Sequence, residues 1–228
     1  MVFSKLQDIL TFGYYVFANS FEYYTHSNSQ TGLNFVTEII NKSNNNHDMT
    51  EIRRNTDELF SENTDENKKD YTNIVSYMSG YCYMNSKLSH GLEINDKEKS
   101  IVESINRTVN RVKPLSYPVT LFHGFEILSK YNDKNWRVGN SIGLPGFLSK
   151  TPSLNVSTKF AYAYNKYRLT YLVVNYPINS QHINLDIKNY INEEFEYLTR
   201  SNEQFKLKDI VKIYKFPTLF VFYVCDPK

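Results

Sequence analysis

Cysteine is scarce in this chain, and its scarcity argues against two classes of protein. The two cysteines, Cys82 and Cys225, stand far apart, in no CxxC pair and beside no histidine cluster. This spacing argues against a zinc site, and two cysteines are too few for a disulfide framework. A single bridge between them stays open, and two buried free thiols are the preferred interpretation.

Long apolar runs and an excess of one charge are also missing. No stretch of eighteen apolar residues occurs, so the sequence predicts no membrane-spanning helix and no membrane partner. The formal net charge is +2, which gives no electrostatic support for nucleic-acid binding. With 41% hydrophobic residues, a chain of 228 residues can bury a core of its own. We expect a soluble protein, either cytoplasmic or delivered into a host cell.

The first half of the chain carries helical periodicity. Apolar residues recur with the spacing of one helix face over residues 71–82, and again over residues 101–112. Asn95 and Glu98 form a capping-box pattern before the second of these helices. Residues 61–70 are polar and have the composition of a solvated loop.

After Pro114 the pattern changes to short runs rich in β-branched and aromatic residues. The runs are VTLFH, LTYLVVNY, HINLDI, EFEYL, QFKLKDI and TLFVFYV, and one helical stripe over residues 156–164 interrupts them. Helices followed by strands predict an α+β fold with antiparallel strands. We divide the chain into an N-terminal helical extension or lobe over residues 1–70 and a main domain over residues 71–228.

The run EFEYL contains two glutamates at alternate positions. Glu194 and Glu196 stand at i and i+2 of a predicted strand, so their side chains point to the same face. Like charges there repel, and the repulsion can raise the pKa of one carboxyl, giving an acid/base beside an ionised group. Taken alone, the pair is more typical of a solvated sheet edge. The other candidates, taken alone, are typical of ordinary hydrogen-bonding, turn or capping residues: His123, Gly124, Ser149 and Thr151.

The order and spacing of four segments carry more information than any one of them. They are residues 77–88, beginning Tyr-Met-Ser-Gly-Tyr; 122–124, Phe-His-Gly; 146–151, Gly-Phe-Leu-Ser-Lys-Thr; and 194–198, Glu-Phe-Glu-Tyr-Leu. In this order they resemble the ADP-ribosyltransferase superfamily, in the toxin-like branch marked by Arg, Ser-Thr-Ser and Glu-x-Glu motifs. His123 stands in place of the motif Arg, and the second motif reads Ser149-Lys150-Thr151.

The resemblance implies a fold, a substrate and a catalytic pair. The fold is α+β, with a two-sheet antiparallel β core preceded by the helical lobe. The substrate is NAD, bound in a cleft between the sheets, and no metal is implied. Glu196 would stabilise positive charge on C1′ of the nicotinamide ribose, and Ser149 would hold Glu196 in place. Glu194 would bind the acceptor arginine and draw off a proton.

The resemblance also assigns the residues that bind NAD. The backbone of Gly124 would recognise the nicotinamide amide, and His123 would contact the diphosphate or a ribose hydroxyl. The full set of implied NAD-binding residues is Phe122, His123, Gly124, Ser149 and Thr151.

The function expected from these motifs is NAD-dependent mono-ADP-ribosylation of protein arginine, with NAD glycohydrolase side activity. The partner would be a protein substrate with an exposed arginine. Two alternatives stay open. One is a catalytically degenerate transferase fold used as a binding or structural protein, which His123 and Lys150 favour. The other is a transferase acting on nucleic acid, against which the near-zero net charge argues.

Overall fold

The structure, a computed structural model, describes residues 22–25, 34, 38–39, 41–42, 49–81, 83–125, 136–165, 167–185, 196–215 and 218–228. The α-helices in these ranges are α1 (Met49–Ser61), α2 (Asp65–Ser76), α3 (Tyr83–Ser89), α4 (Asp96–Arg111) and α5 (Leu154–Tyr164), and a π-helical turn (Tyr77–Tyr81) joins α2 to the chain before α3. The strands are β1 (Glu22–Thr25), β2 (Val119–Phe125), β3 (Ser141–Gly143), β4 (Ser149–Lys150), β5 (Arg168–Tyr176), β6 (Ile183–Asn184), β7 (Tyr197–Leu198), β8 (Gln204–Lys215) and β9 (Thr218–Pro227).

The strands form two sheets that are joined through β2. The larger sheet has the order β1-β8-β9-β5-β2, with β3 paired to β8, and the smaller has the order β4-β7-β6. A backbone bridge between Phe122 and Thr151, with N···O distances of 2.7 and 2.8 Å, ties β2 to the residue after β4. The predicted two-sheet α+β fold is confirmed. Within it, β5 and β9 run parallel rather than antiparallel, because the chain passes through the smaller sheet and β8 before β9 returns beside β5.

The interior strand β5, which lies between β9 and β2, is buried on both of its faces. On one face, Leu172 and Val174 belong to the same apolar cluster as Tyr197 of the smaller sheet. On the other, Tyr171 and Val173 pack with Ala161 of α5. A two-faced core of this kind explains why the sequence LTYLVVNY is apolar almost throughout rather than alternating.

Residues 61–70 are partly helical, which corrects the prediction of a solvated loop. The first turn of α2 is capped by Thr64, whose side chain accepts a hydrogen bond from the backbone N–H of Asn67 at 3.1 Å. The inner face of this helix buries Asn67 and Asp70, and Arg107 of α4 donates two hydrogen bonds to the Asp70 carboxylate. A search for apolar periodicity misses this turn because its buried positions are polar.

The helices predicted after Asn95 and over residues 156–164 are both confirmed. Asn95 accepts from the backbone of Glu98 at 2.9 Å, and Glu98 accepts from the backbone of Asn95 at 2.8 Å, which completes the capping box. Lys87 of α3 also donates to Glu98 at 2.6 Å. The hydrogen bonds from Lys87 and from the Asn95 backbone lower the pKa of the Glu98 carboxyl. Ser153 caps α5 in the same way that Thr64 caps α2.

Three predictions from the sequence can be compared with the structure only for the residues that it describes. Cys225 is a buried free thiol whose pKa burial raises to about 12, whereas Cys82 lies outside the described residues. No helix in the described ranges is long and apolar enough to cross a bilayer. The division at residue 70 stays a prediction, since α2 runs across that position and most of residues 1–48 are not described.

His182 is a buried imidazole whose protonation opposes folding. The residue is 2% exposed, its Nε2 lies 2.9 Å from Ser180 Oγ, and its ring packs edge-on against Tyr176. Burial lowers the pKa of His182 to about 3, and the neighbouring Lys150 cation acts in the same direction. The folded protein therefore keeps this ring neutral where an unfolded chain, with an ordinary pKa of 6.5, takes up a proton.

We expect the free energy of unfolding to fall more steeply with acid for the wild type than for His182→Asn. Between about pH 6.5 and pH 4 the unfolded wild type binds a proton that the folded state does not, so acidification favours unfolding by up to about 1.4 kcal/mol per pH unit. Above about pH 7 the two pH dependences should run parallel, because His182 is neutral in both states. Urea titrations across this range measure the difference, and parallel curves down to pH 4 would contradict the assignment.

Candidate active site

Ser149 and Glu196 meet where the smaller sheet joins the larger one. Ser149 pairs in register with Leu198 across β4 and β7, and the Glu196 carbonyl accepts the backbone N–H of Leu185 at 3.0 Å. The Ser149 hydroxyl donates a hydrogen bond to Oε1 of Glu196. Both residues are half-buried. The carboxylate is therefore fixed by a protein donor and is still reachable from solvent.

His123 of β2 is tied to the same short strand. Its Nδ1 lies 2.6 Å from the backbone carbonyl oxygen of Ser149. A carbonyl can only accept, so Nδ1 carries the proton and donates it, and Nε2 of the neutral ring keeps a lone pair. Burial lowers the pKa of His123 to about 4; the bond to Ser149 raises it, and the Lys150 cation lowers it further. At neutral pH this side chain is uncharged, and its Nε2 can accept a hydrogen bond.

Gly124 lies where α5 crosses β2. A Cβ at this position would clash with the backbone carbonyl oxygen of Ser157 and would lie 2.8 Å from the backbone nitrogen of Ala161. Only a residue without a Cβ permits this approach of helix to strand. Gly124 therefore has a packing role that is sufficient to explain it, and contact of its backbone with a ligand stays a prediction.

Phe122 and Thr151 join the two sheets through their backbones. The Phe122 side chain is fully buried in the apolar cluster beneath α5. Thr151 is 4% exposed, and its hydroxyl accepts the backbone N–H of Ser153 at 3.2 Å. Burial gives both side chains a structural role here, so their direct contact with NAD stays a prediction.

The structure places six of the predicted site residues in or beside the strands that meet at this junction: Phe122, His123 and Gly124 in β2, Ser149 in β4, Thr151 after β4 and Glu196 before β7. Glu194 lies outside the described residues, and its place relative to Glu196 is a prediction from sequence. Among the residues that are described, no group of three or more His, Cys, Asp or Glu side chains is arranged to hold a metal ion.

Two asparagines that sequence reasoning did not assign hold the loop entering β4. Asn85 of α3 donates to the Phe147 carbonyl at 2.5 Å and accepts the Phe147 backbone N–H at 2.6 Å, as a paired strand would. Asn202, at a φ of 58°, accepts the Gly146 backbone N–H and donates to the Gly146 carbonyl, each at 2.8 Å. The sequence signal for Asn85 was limited to its position in the first of the four segments.

Comparisons with known proteins agree with this architecture. No protein-family model matches the sequence, and no curated protein does either. Among solved structures, the chain is similar to Plx2a, an ADP-ribosyltransferase toxin from Paenibacillus larvae, at 14% identity and a TM-score of 0.61 over 77% of this chain and 92% of that one. It is also similar to C3stau2 from S. aureus with NAD, at 11% identity and a TM-score of 0.56 over 81% and 97% of the two chains.

Exoenzyme S from Pseudomonas aeruginosa, solved in complex with human 14-3-3 protein beta and bound to carba-NAD, is a third such structure. It is 15% identical to this chain, with a TM-score of 0.55 over 76% of this chain and 86% of its own. This chain thus has the fold of the ADP-ribosyltransferase toxins, as the order of its motifs predicts.

We expect Gly124→Ala to destabilise the protein by about 1–3 kcal/mol, the usual cost of forcing an extra group into a packed contact. The added methyl would push α5 away from β2. Gly80→Ala is the matched control, because nothing lies within 4 Å of a Cβ there, and it should change stability little. Thermal melts followed by circular dichroism compare the two, and equal melting temperatures would contradict the role assigned to Gly124.

Proposed function

We propose that this chain is a mono-ADP-ribosyltransferase that takes NAD as its substrate and modifies arginine side chains of a protein, with NAD hydrolysis as a side activity. The observation that carries the proposal is the Ser149 hydroxyl holding the Glu196 carboxylate at the sheet junction. The shared fold supports it, as do the NAD and carba-NAD present in C3stau2 and Exoenzyme S.

Glu196 would stabilise the charge that develops when the nicotinamide–ribose bond breaks. Bond cleavage leaves an oxocarbenium-like ribose with positive charge on C1′, as in glycoside cleavage. A carboxylate that is already oriented stabilises this charge without reorganising during the reaction. Ser149 supplies that orientation through its hydrogen bond to one oxygen of Glu196.

Because His123 is neutral, only one of its two predicted contacts with NAD suits it. Its Nδ1–H is already donated to Ser149, which leaves Nε2 as an acceptor. A diphosphate offers only acceptors and is therefore a poor partner for this nitrogen. A ribose hydroxyl can donate, so it is the contact we assign to His123. The residue then replaces the motif Arg in position but not in charge.

Glu194 would select the acceptor. A guanidinium is always protonated in proteins and is a poor nucleophile until a carboxylate binds it and withdraws a proton. Glu194 stands two residues before Glu196, the spacing at which a strand would present both carboxylates on one face. Glu196 would then act on the ribose of NAD, and Glu194 on the acceptor arginine.

A degenerate transferase fold used as a binding or structural protein is the second candidate. The uncharged His123 and the buried Lys150 favour it, because neither offers a cation to the NAD diphosphate. Nicotinamide release by the purified protein separates the two candidates.

We expect Glu196→Ala to lower the rate of nicotinamide release from NAD by at least about 100-fold, the scale for losing a main electrostatic group. Glu93→Ala is the control, since Glu93 is exposed in the loop before α4, and it should keep the wild-type rate. Chromatographic assay of released nicotinamide measures the rate for the wild type and for both variants. Equal rates in Glu196→Ala and the wild type would refute the role of Glu196, and a folded wild type that releases none would favour the degenerate fold.

Glu194→Gln is expected to separate the two half-reactions. NAD hydrolysis should persist within a few-fold, because Glu196 acts on the ribose, while labelling of an arginine-rich acceptor should fall to background. Nicotinamide release and transfer of labelled ADP-ribose to polyarginine are measured in parallel. Equal loss of both activities would mean that the two carboxylates act as one unit.

A further inference from the structure

Lys150 is a buried cation directly behind the candidate site. It follows Ser149 in β4, so the two side chains point to opposite faces of the smaller sheet. Lys150 is 1% exposed, and its Nζ donates to Thr199 Oγ1 at 2.7 Å and to Glu203 Oε2 at 2.9 Å. Its side chain thus leaves β4 and ends on the segment that follows β7.

Glu203 completes a polar network around the buried Lys150 ammonium, and its own side chain is 15% exposed. Tyr176 donates its hydroxyl to Glu203 at 2.8 Å, and Thr199 donates to the same carboxylate at 2.5 Å. The Lys150 Nζ also lies over two aromatic rings, 5.4 Å from the centroid of Tyr176 and 5.7 Å from that of Phe205. Both charges are therefore compensated within the protein.

Ser149 lies in β4 and Glu196 directly precedes β7, and these two strands are too short to fix their own alignment. β4 and β7 contain two residues each, so their ladder supplies few hydrogen bonds. A slip of one residue would turn every side chain of β4 to the opposite face. An anchor that joins β4 to the segment after β7 therefore acts directly on whether Ser149 faces Glu196, beside the bonds that tie β4 to β2.

We propose that Lys150 and Glu203 are positioning residues whose ion pair, with its lysine end buried, fixes β4 against the segment after β7 and thereby holds Ser149 against Glu196. The catalytic consequence rests on the proposed function; the structural consequence does not. Lys150 occupies the middle of the Ser-Thr-Ser-like motif, where the family motif has threonine. In this chain the lysine strengthens the alignment of the motif.

Replacing both charges by apolar residues separates positioning from stability. A buried ion pair can often be exchanged for hydrophobic residues of similar volume without loss of folding, whereas removal of one partner leaves an uncompensated charge. Lys150→Met combined with Glu203→Leu should therefore fold. A matched double variant, Arg107→Met with Asp70→Leu, removes the ion pair between α4 and α2, in which Asp70 is buried and the Arg107 side chain is 33% exposed.

For the Lys150/Glu203 double variant we expect kcat for nicotinamide release to fall about 10- to 100-fold with KM within a few-fold, the effect of a small misplacement of a reacting group. The Arg107/Asp70 double variant should keep the wild-type kcat. Lys150→Arg, which retains the charge, should recover part of the loss. A wild-type kcat in the Lys150/Glu203 double variant would overturn the proposal.

Crystal structures of the wild type and the Lys150/Glu203 double variant give a readout that does not need activity. We expect the Ser149–Glu196 contact to be lost in the variant while the large sheet is retained, and a preserved contact would overturn the proposal. If the wild type releases no nicotinamide, the proposed function fails and these structures still decide the positioning role. If the double variant does not fold, the same readouts on Glu203→Asp, which keeps the charge but shortens its reach to Lys150, decide it.

Discussion

The hydrogen bond from Ser149 to Glu196 depends on the alignment of two very short strands, and most contacts around the sheet junction bear on that alignment. The bridge between Phe122 and Thr151 and the bond from His123 to the Ser149 carbonyl hold one side of β4. Asparagine side chains accept hydrogen bonds from the loop before it, and the Lys150–Glu203 ion pair anchors the far side. A carboxylate held this firmly is suited to stabilise developing charge, because it does not reorganise during the reaction.

The charges around the junction are distributed unusually for a site that would bind a dinucleotide. His123 stands where the resemblance expects an arginine, and burial together with the Lys150 cation keeps it neutral. The nearby cation, Lys150, points to the face of β4 opposite to Ser149 and is paired with Glu203. Recognition of NAD at this strand would therefore use hydrogen bonds to ribose and nicotinamide rather than a charged fork on the diphosphate.

Local chemistry explains which parts of this fold could be predicted from the sequence. The cap at Asn95 and the apolar stripe over residues 156–164 are local signals, so α4 and α5 were predictable. The strands β2, β5, β8 and β9 were predictable from their content of β-branched and aromatic residues. The first turn of α2 was missed because its buried face is polar, and the parallel pairing of β5 with β9 was missed because it depends on the path of the chain between them. The nearness of Ser149 to Glu196 followed from the resemblance, since 47 residues separate them. The partners of Lys150 lie 49 and 53 residues away, and no local pattern marks them.

The most direct test of this account is the rate of nicotinamide release by Ser149→Ala beside the wild type. Removal of the hydroxyl leaves the backbone ladder of β4 intact and takes away only the donor that orients Glu196. We expect a folded variant, by circular dichroism, whose kcat is about 10- to 100-fold below that of the wild type, the usual effect of a small misplacement in an active site. A variant that releases nicotinamide as fast as the wild type would show that Glu196 does not need Ser149 and would contradict the account.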